Sequence, residues 1–188
     1  MQEFQPPAGP SEPRRFFFYA RSNNSRNLFH RGIEAIKEAV ASGILDPARW
    51  ELNFVGKDIP LITLPGGVQP KRYENLPWHS YAALVRKMDL GLSLMYTPHP
   101  SYPPLDLAAS GAVVVTNRFG NKRSLDQYSR NILCVEPSCE QLVAGLERGV
   151  QLAQDRPTRQ ANYQQGGLLR DWRTAFAAVL DQLAPRFP

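Results

Sequence analysis

The chain has 188 residues, of which 43% are hydrophobic and 21% charged, and its apolar runs are too short to span a membrane. Its net charge of +5 arises from basic residues scattered along the chain, which argues against a nucleic-acid partner. Cys134 and Cys139 lack a second pair at metal-binding spacing, so we interpret them as reduced thiols of a cytosolic protein.

The N-terminal segment, 1–15, is rich in proline and has no apolar stretch typical of a secretory signal. We interpret it as a linker that follows another part of a longer chain. An α/β domain is predicted over 16–156, and C-terminal helices that pack on this domain are predicted over 157–188.

Apolar runs alternate with helical patterns along the rest of the chain. The predicted order is strand 16–20, helix 29–43, strand 51–56, strand 68–73, helix 81–88, strand 90–95, helix 103–110, strand 112–116, strand 131–137, helix 142–153 and helix 172–183. Several strands are apolar throughout, as expected when helices cover both faces of a parallel sheet. The predicted fold class is therefore α/β: a Rossmann-like, doubly wound parallel sheet of about six strands with C-terminal helices.

Ligands bind such sheets at the carboxyl ends of the strands, where the strand order reverses. In the loop 21–27, Arg21 leaves the first strand and Arg26 lies at a helix start, where unpaired N–H groups already favour an anion. Two guanidinium groups there would suit a diphosphate. Alternatively, Asn24 or Ser25 caps the helix and both arginines face solvent.

The segment 96–117, YTPHPSYPPLDLAASGAVVVTN, joins a proline-rich loop to a wholly apolar strand. Pro103 suits the first turn of a helix, which would turn the N–H groups of Ser101 and Tyr102 towards a ligand. Asp106 either stabilises the helix dipole or accepts hydrogen bonds from ligand hydroxyls. We interpret this loop as one wall of a ligand site.

Other polar and aromatic residues are weaker candidates. His99 is a possible phosphate or sugar contact, and Tyr102 either stacks on the ligand or packs under the loop. His30 and His79 are interpreted as surface or helix-terminal residues. Four residues after the strand 112–116 either reach the ligand or form a solvated turn; they are Asn117, Arg118, Asn121 and Lys122.

The sequence SYPPLDLAASGAVVVTN resembles the G-L-P-x-x-E-A-M-A-x-G-x-P-V-V signature of GT-B glycosyltransferases of the family 4 type. Pro103 matches the signature proline, Gly111 its glycine and Asp106 the second acid of the E-x7-E motif. The sequence FYARSNNSRN resembles the first strand and loop of that family. The sequence NLPWHSYAALVRKMDLGLSLM resembles the segment where the nucleobase packs, near Leu76. The resemblance as a whole covers roughly 16–155.

The resemblance implies the donor-binding C-terminal domain of a retaining glycosyltransferase, with a nucleotide-diphosphate-sugar as donor and neither metal nor other cofactor. It implies donor diphosphate binding by Arg21 and Arg26, ribose binding by Asp106 and nucleobase binding by Leu76. From their place in the proline-rich loop, Ser101 and Tyr102 are further candidates for the diphosphate and His99 for the sugar. The resemblance assigns no catalytic residue.

The motif departs from the family pattern at two positions. The first acid falls on Pro98, and the second is Asp106 rather than a glutamate, one methylene shorter. Donor-sugar recognition must therefore differ from the family's usual pattern, because proline offers no acceptor. The sequence SLMYTPHPSYPPLDLAASG most resembles bacterial rhamnosyltransferases that build cell-surface polysaccharide. This resemblance implies dTDP-rhamnose as the donor, whose 6-deoxy sugar has fewer hydroxyls.

GT-B enzymes hold the acceptor on an N-terminal domain. The resemblance therefore implies that such a domain of the same longer protein is a partner, together with a glycan or lipid-linked acceptor. A cytoplasmic location, peripheral to the inner face of the membrane, is expected, and the chain alone should bind donor without transferring sugar. A non-catalytic sugar-nucleotide-binding or assembly module and a sugar-nucleotide epimerase remain alternatives.

Overall fold

Six parallel strands form one sheet in the order β3-β2-β1-β4-β5-β6 in the computed structural model, which describes residues 13–168 and 171–183. The strands are β1 Arg14–Arg21, β2 Trp50–Lys57, β3 Lys71–Glu74, β4 Leu90–Leu92, β5 Val113–Asn117 and β6 Ile132–Val135. The helices are α1 Phe29–Ala41, α2 Trp78–Val85, α3 Tyr102–Ala109, α4 Cys139–Gln154, α5 Arg156–Gln164 and α6 Trp172–Leu183. Short 3-10 turns lie at Ser25–Asn27 and Pro65–Gly67. The predicted fold class is confirmed.

Helices cover both faces of the sheet, and the side chains of β1 alternate between the two layers. Phe16 and Phe18 pack into the layer of α1 and α4, whereas Phe17 packs into the layer of α2 and α3 with Val85 and Leu107. All three phenylalanines are fully buried. Burial on both sides therefore explains the continuous apolar run Phe16–Phe18 in the middle of this strand.

The strand order reverses between β1 and β4. The chain winds outwards from β1 through β2 to β3, and then returns to the other side of β1 as β4, which pairs with it from Phe16↔Leu90 to Phe18↔Leu92. The carboxyl ends of β1 and β4 are thus neighbours, and their loops leave the sheet side by side. This is the position at which a doubly wound sheet binds ligands.

The structure corrects several predicted boundaries. β1 begins at Arg14, which pairs with Trp50, so two residues assigned to the linker belong to the sheet; residues 1–12 lie outside the described part of the chain. β3 is shifted to Lys71–Glu74, because Val68 pairs with Leu64 in a separate antiparallel bridge. β4 is shorter than the predicted strand 90–95.

The two C-terminal helices differ in their packing. Arg159 of α5 is buried, and its Nη1 lies 3.0 Å from Asp89 Oδ1 at the amino end of β4. In α6 the described side chains, 173–183, are all exposed, and the packing predicted for 157–188 stays a prediction. No helix among the described residues is long and apolar enough to cross a bilayer.

Candidate functional site

The loops that follow β1 and β4 are joined by hydrogen bonds. The Tyr96 N–H donates to the Arg26 carbonyl oxygen at 2.7 Å. The buried Asn27 side chain donates through Nδ2 to the Leu94 carbonyl oxygen at 3.3 Å. The structure therefore brings together two of the loops predicted to line a ligand site, 21–27 and 96–104.

A polar cleft of about 370 Å³ opens at the carboxyl ends of β1 and β2. It is lined by Arg21, Asn23, Asn24, Ser25, Arg26, Lys57 and Asp58. Three of these residues are cations, and within the described part of the chain none of the three forms an ion pair. The two predicted arginines therefore line one cleft, and Lys57 is a third cation that the sequence analysis missed. Its position follows from the parallel register, in which Arg21 pairs with Lys57.

The capping alternative for this loop applies to the 3-10 turn rather than to α1. Asn24 Oδ1 accepts from the Arg26 N–H at 3.2 Å and caps the turn Ser25–Asn27. The chain then reverses at Leu28, which has a φ of 47°, and α1 begins without a side-chain cap. The first N–H groups of α1 thus keep the partial positive charge of a helix start next to the loop 21–27, called the arginine loop below.

The backbone of Ser101 adopts a conformation that is normally found only in glycine. Its φ of 70° and ψ of 157° store about 1–3 kcal/mol of strain at a buried position. The Ser101 N–H donates to His99 Nδ1 at 2.9 Å, so the remaining proton of a neutral His99 ring lies on Nε2, on an exposed side chain. The N–H predicted to bind a diphosphate is therefore already used, and such a contact requires His99 to move.

α3 starts at Tyr102, one residue before the predicted start. The Tyr102 side chain is exposed, and its ring centroid lies 5.8 Å from that of His99. It does not pack under the loop, which was one of its two predicted positions. Tyr102 and Asp106 are one helical turn apart and so lie on the same face of α3.

Asp106 is held by a tyrosine of the neighbouring helix. The Tyr81 hydroxyl donates to Asp106 Oδ2 at 3.1 Å. Burial raises the pKa of the Asp106 carboxyl above its usual value, and the hydrogen bond from Tyr81 opposes that shift. Burial and the nearby carboxylate likewise raise the pKa of the Tyr81 hydroxyl. Asp106 is thus a half-buried acceptor near the carboxyl edge of the sheet.

The segment predicted to bind a nucleobase carries an exposed aromatic side chain. Leu76 is half-buried and packs against the cluster around Phe17. Trp78, at the start of α2, is 73% exposed, and its ring centroid lies 5.9 Å from that of Tyr81. The indole is therefore separated from Asp106 by a single tyrosine ring. The sequence analysis missed Trp78, although a tryptophan beside a predicted ligand loop was a usable indication.

The residues after β5 divide into two pairs. Asn117 is fully buried: its Oδ1 accepts from the Met95 N–H at 2.7 Å, and its Nδ2 donates to the Met95 carbonyl oxygen at 3.1 Å. Lys122 is 4% exposed and donates through Nζ to the same oxygen at 2.9 Å. Arg118 and Asn121 are exposed. The solvated-turn interpretation is therefore right for Arg118 and Asn121 and wrong for the buried Asn117 and Lys122.

The described residues 13–168 and 171–183 contain no group of three or more His, Cys, Asp or Glu side chains placed to hold a metal ion. His30 and His79 are both exposed, on different helices. The cleft lined by Arg21, Arg26 and Lys57, by contrast, offers the positive charge that an anionic ligand requires.

Solved structures with the same fold include glycosyltransferases and a putative UDP-N-acetylglucosamine 2-epimerase from Listeria monocytogenes, which has a TM-score of 0.54 at 16% identity over 93% of this chain and 45% of its own. WaaG, a glycosyltransferase involved in lipopolysaccharide biosynthesis, superposes with a TM-score of 0.62 at 19% identity over 92% of this chain and 47% of its own. Anabaena HepE in complex with UDP and glucose has a TM-score of 0.65 at 14% identity, with 93% and 49% covered. The C-terminal domain of the Francisella tularensis group 1 glycosyltransferase LpcC has a TM-score of 0.58 at 16% identity, with 82% of each chain covered. The fold is that of one Rossmann-like half of a GT-B glycosyltransferase.

Within that class, residues 14–147 match the family described as WsaF, C-terminal domain, and the chain belongs to this family. The chain is also 35% identical over 158 residues to the O-antigen biosynthesis protein RfbC of Myxococcus xanthus. That match covers 78% of this chain but only 11% of RfbC. The chain thus corresponds to a small part of this curated relative and to about half of the WaaG and HepE chains.

Proposed function

We propose that this chain is the donor-binding half of a glycosyltransferase that acts in the synthesis of bacterial cell-surface polysaccharide. The proposal rests on the cleft at the carboxyl ends of β1 and β2, whose three cations form no ion pair with any residue that the structure describes. Membership of the WsaF family and similarity to an O-antigen biosynthesis protein support the polysaccharide assignment.

The donor diphosphate binds in this cleft. Arg21 and Arg26 offer planar guanidinium groups that match phosphate oxygens, and Lys57 adds a third positive charge. The start of α1, which lacks a side-chain cap, contributes the partial charge of its N–H groups. Glycosyl transfer leaves negative charge on the departing nucleoside diphosphate, and these fixed cations stabilise that charge.

The nucleoside extends from the cleft towards α2 and α3. Asp106 accepts hydrogen bonds from the ribose hydroxyls while Tyr81 fixes its other oxygen. The nucleobase lies at Leu76, where Trp78 offers an exposed face for stacking. Stacking of a base on an aromatic ring contributes about 1–3 kcal/mol.

For the sugar itself we propose rhamnose, delivered as dTDP-rhamnose and transferred with retention at the anomeric carbon. Pro98 offers no side-chain acceptor, which suits a 6-deoxy sugar, and His99 has an exposed edge whose Nε2–H can donate to a sugar hydroxyl. No residue of this chain is assigned to the bond-breaking step.

The acceptor binds to an N-terminal domain of the same longer protein. Transfer requires donor and acceptor to be held in reacting geometry, an effect that contributes several kcal/mol to rate acceleration. The chain alone offers only one wall of that site. It is therefore expected to bind donor and to transfer sugar only together with the N-terminal half.

Calorimetric titration of the 188-residue chain with dTDP, UDP and GDP tests the proposal. Binding in about the micromolar to millimolar range is expected, because one wall of the site faces solvent. A chain that binds none of the three diphosphates contradicts the proposal. Arg148, exposed on α4, offers a control: its alanine variant should bind like the wild type.

Assay with the N-terminal half added separates the proposal from a non-catalytic binding module. A transferase gains turnover when the missing half is supplied as a separate chain or as a fusion. A binding or assembly module keeps its nucleotide affinity and stays without turnover.

A further inference from the structure

One peptide group, Met95–Tyr96, connects the arginine loop to the segment after β5. Its carbonyl oxygen accepts from Asn117 Nδ2 at 3.1 Å and from Lys122 Nζ at 2.9 Å. Its N–H donates to the Arg26 carbonyl oxygen at 2.7 Å. Because the C=O and N–H of a trans peptide point in opposite directions, Lys122 and Arg26 lie on opposite sides of this group.

Packing does not explain why a lysine is present here. Lys122 is 4% exposed and forms no ion pair with a carboxylate in the described residues, and burial of an uncompensated ammonium is unfavourable. The carbonyl of Met95 does not require it either, because Asn117 already donates to that oxygen. A neutral side chain of similar length would fill the site without the electrostatic penalty.

We infer that Lys122 is a positioning residue for the donor diphosphate. Its charge polarises the Met95–Tyr96 peptide group, which makes the Tyr96 N–H a stronger donor to the Arg26 carbonyl. The bond fixes the backbone of the loop 21–27, from which Arg21 and Arg26 point into the cleft. The inference rests on the proposed function, since it assigns that cleft to a diphosphate.

The inference predicts a characteristic pH dependence of binding. Burial lowers the pKa of the Lys122 ammonium, so its charge is lost at a lower pH than that of an exposed lysine. Diphosphate affinity should therefore fall as the pH rises through this lowered pKa. The other titratable group that interacts with Lys122 is the Cys134 thiol on β6, whose own pKa is raised by burial and is influenced in turn by Asp126 and Arg118.

The test compares Lys122→Met and Lys122→Arg with the wild type by titration of dTDP from neutral to alkaline pH. Lys122→Met, which keeps the chain length without the charge, should bind about tenfold more weakly at neutral pH. Lys122→Arg keeps the charge at alkaline pH, so it should restore affinity and lose the alkaline decline. Cys134→Ala should retain that decline.

The outcomes separate this inference from the proposed function. If the wild type binds no diphosphate, the proposed function is wrong. If the wild type binds and Lys122→Met binds equally well, only the role of Lys122 is wrong. A decline that disappears in Cys134→Ala, or a Lys122→Arg chain that binds as weakly as Lys122→Met, also overturns it. If Lys122→Met does not fold, the role of Lys122 is still tested by comparing how dTDP affinity changes with alkaline pH in the wild type and in Lys122→Arg.

Discussion

Replacement of Arg26 by alanine removes one guanidinium group from the cleft and leaves the contacts of its backbone in place. The Arg26 side chain is exposed and forms no ion pair among the residues that the structure describes. Its N–H still binds Asn24, and its carbonyl still accepts from Tyr96. The free energy of unfolding should therefore change by less than about 0.5 kcal/mol.

The loss of diphosphate affinity can be derived from the contact itself. A hydrogen bond to a charged group contributes about 1.5–3 kcal/mol. Arg26 is exposed, whereas Arg21 is half-buried, so solvent screens Arg26 more and its loss should lie near the lower limit, about tenfold in Kd. Arg21→Ala should cost more than Arg26→Ala, and the Arg26 effect should shrink as the salt concentration rises.

Calorimetric titration with dTDP at low and moderate ionic strength measures both variants. Arg148→Ala controls for the overall loss of one positive charge, because it lies exposed on α4. Thermal unfolding establishes that each variant is folded. Wild-type affinity in both Arg21→Ala and Arg26→Ala, with the fold intact, would falsify the assignment of the cleft to the diphosphate.

Three further variants test other parts of the structure. Asp106→Asn should weaken nucleotide binding but preserve thermal stability. Burial raises the Asp106 pKa, so above the unfolded-state pKa the ionised carboxyl disfavours folding, and a neutral asparagine removes that effect. A loss of stability with unchanged nucleotide affinity would support the helix-dipole role instead. Trp78→Ala should weaken dTDP binding by about 1–3 kcal/mol and leave pyrophosphate binding unchanged, and an equal loss for both ligands would exclude stacking. Arg159→Met should lower the free energy of unfolding by about 3–5 kcal/mol in denaturant titration, because Asp89 loses the partner of a buried ion pair; a change below 1 kcal/mol would contradict this.

The central strands were predictable from the sequence because burial on both faces leaves continuous apolar runs, such as Val113–Val115 in β5. β3 was misplaced because it is an edge strand with the polar sequence KRYE and has little apolar pattern to mark it. Arg14 and Arg15 were assigned to the linker because only their pairing with β2 identifies them as strand residues.

The adjacency of the arginine loop and the proline-rich loop was predictable, since parallel strands bring their carboxyl ends to one edge. Lys57 was missed because it belongs to the cleft only through its register with Arg21. The burial of Lys122 was equally hidden, because a lysine after a strand normally faces solvent and only tertiary contacts bring its Nζ to Met95.

The contacts of Arg159 indicate that the folded domain extends beyond the residues that match the family. The residues matched to the family end at 147, inside α4, whereas Arg159 Nε donates to the Gly111 carbonyl and Nη2 to the Met88 carbonyl near the start of β5 and β4. A chain cut at 147 would remove the Arg159 donor from both carbonyls and the ion pair from Asp89, whose Oδ2 would keep the Arg15 N–H, and would cut α4 short. Buried acceptors without donors are strongly unfavourable. The shortest stable version of this domain therefore has to extend at least through Gln164, the last residue of α5.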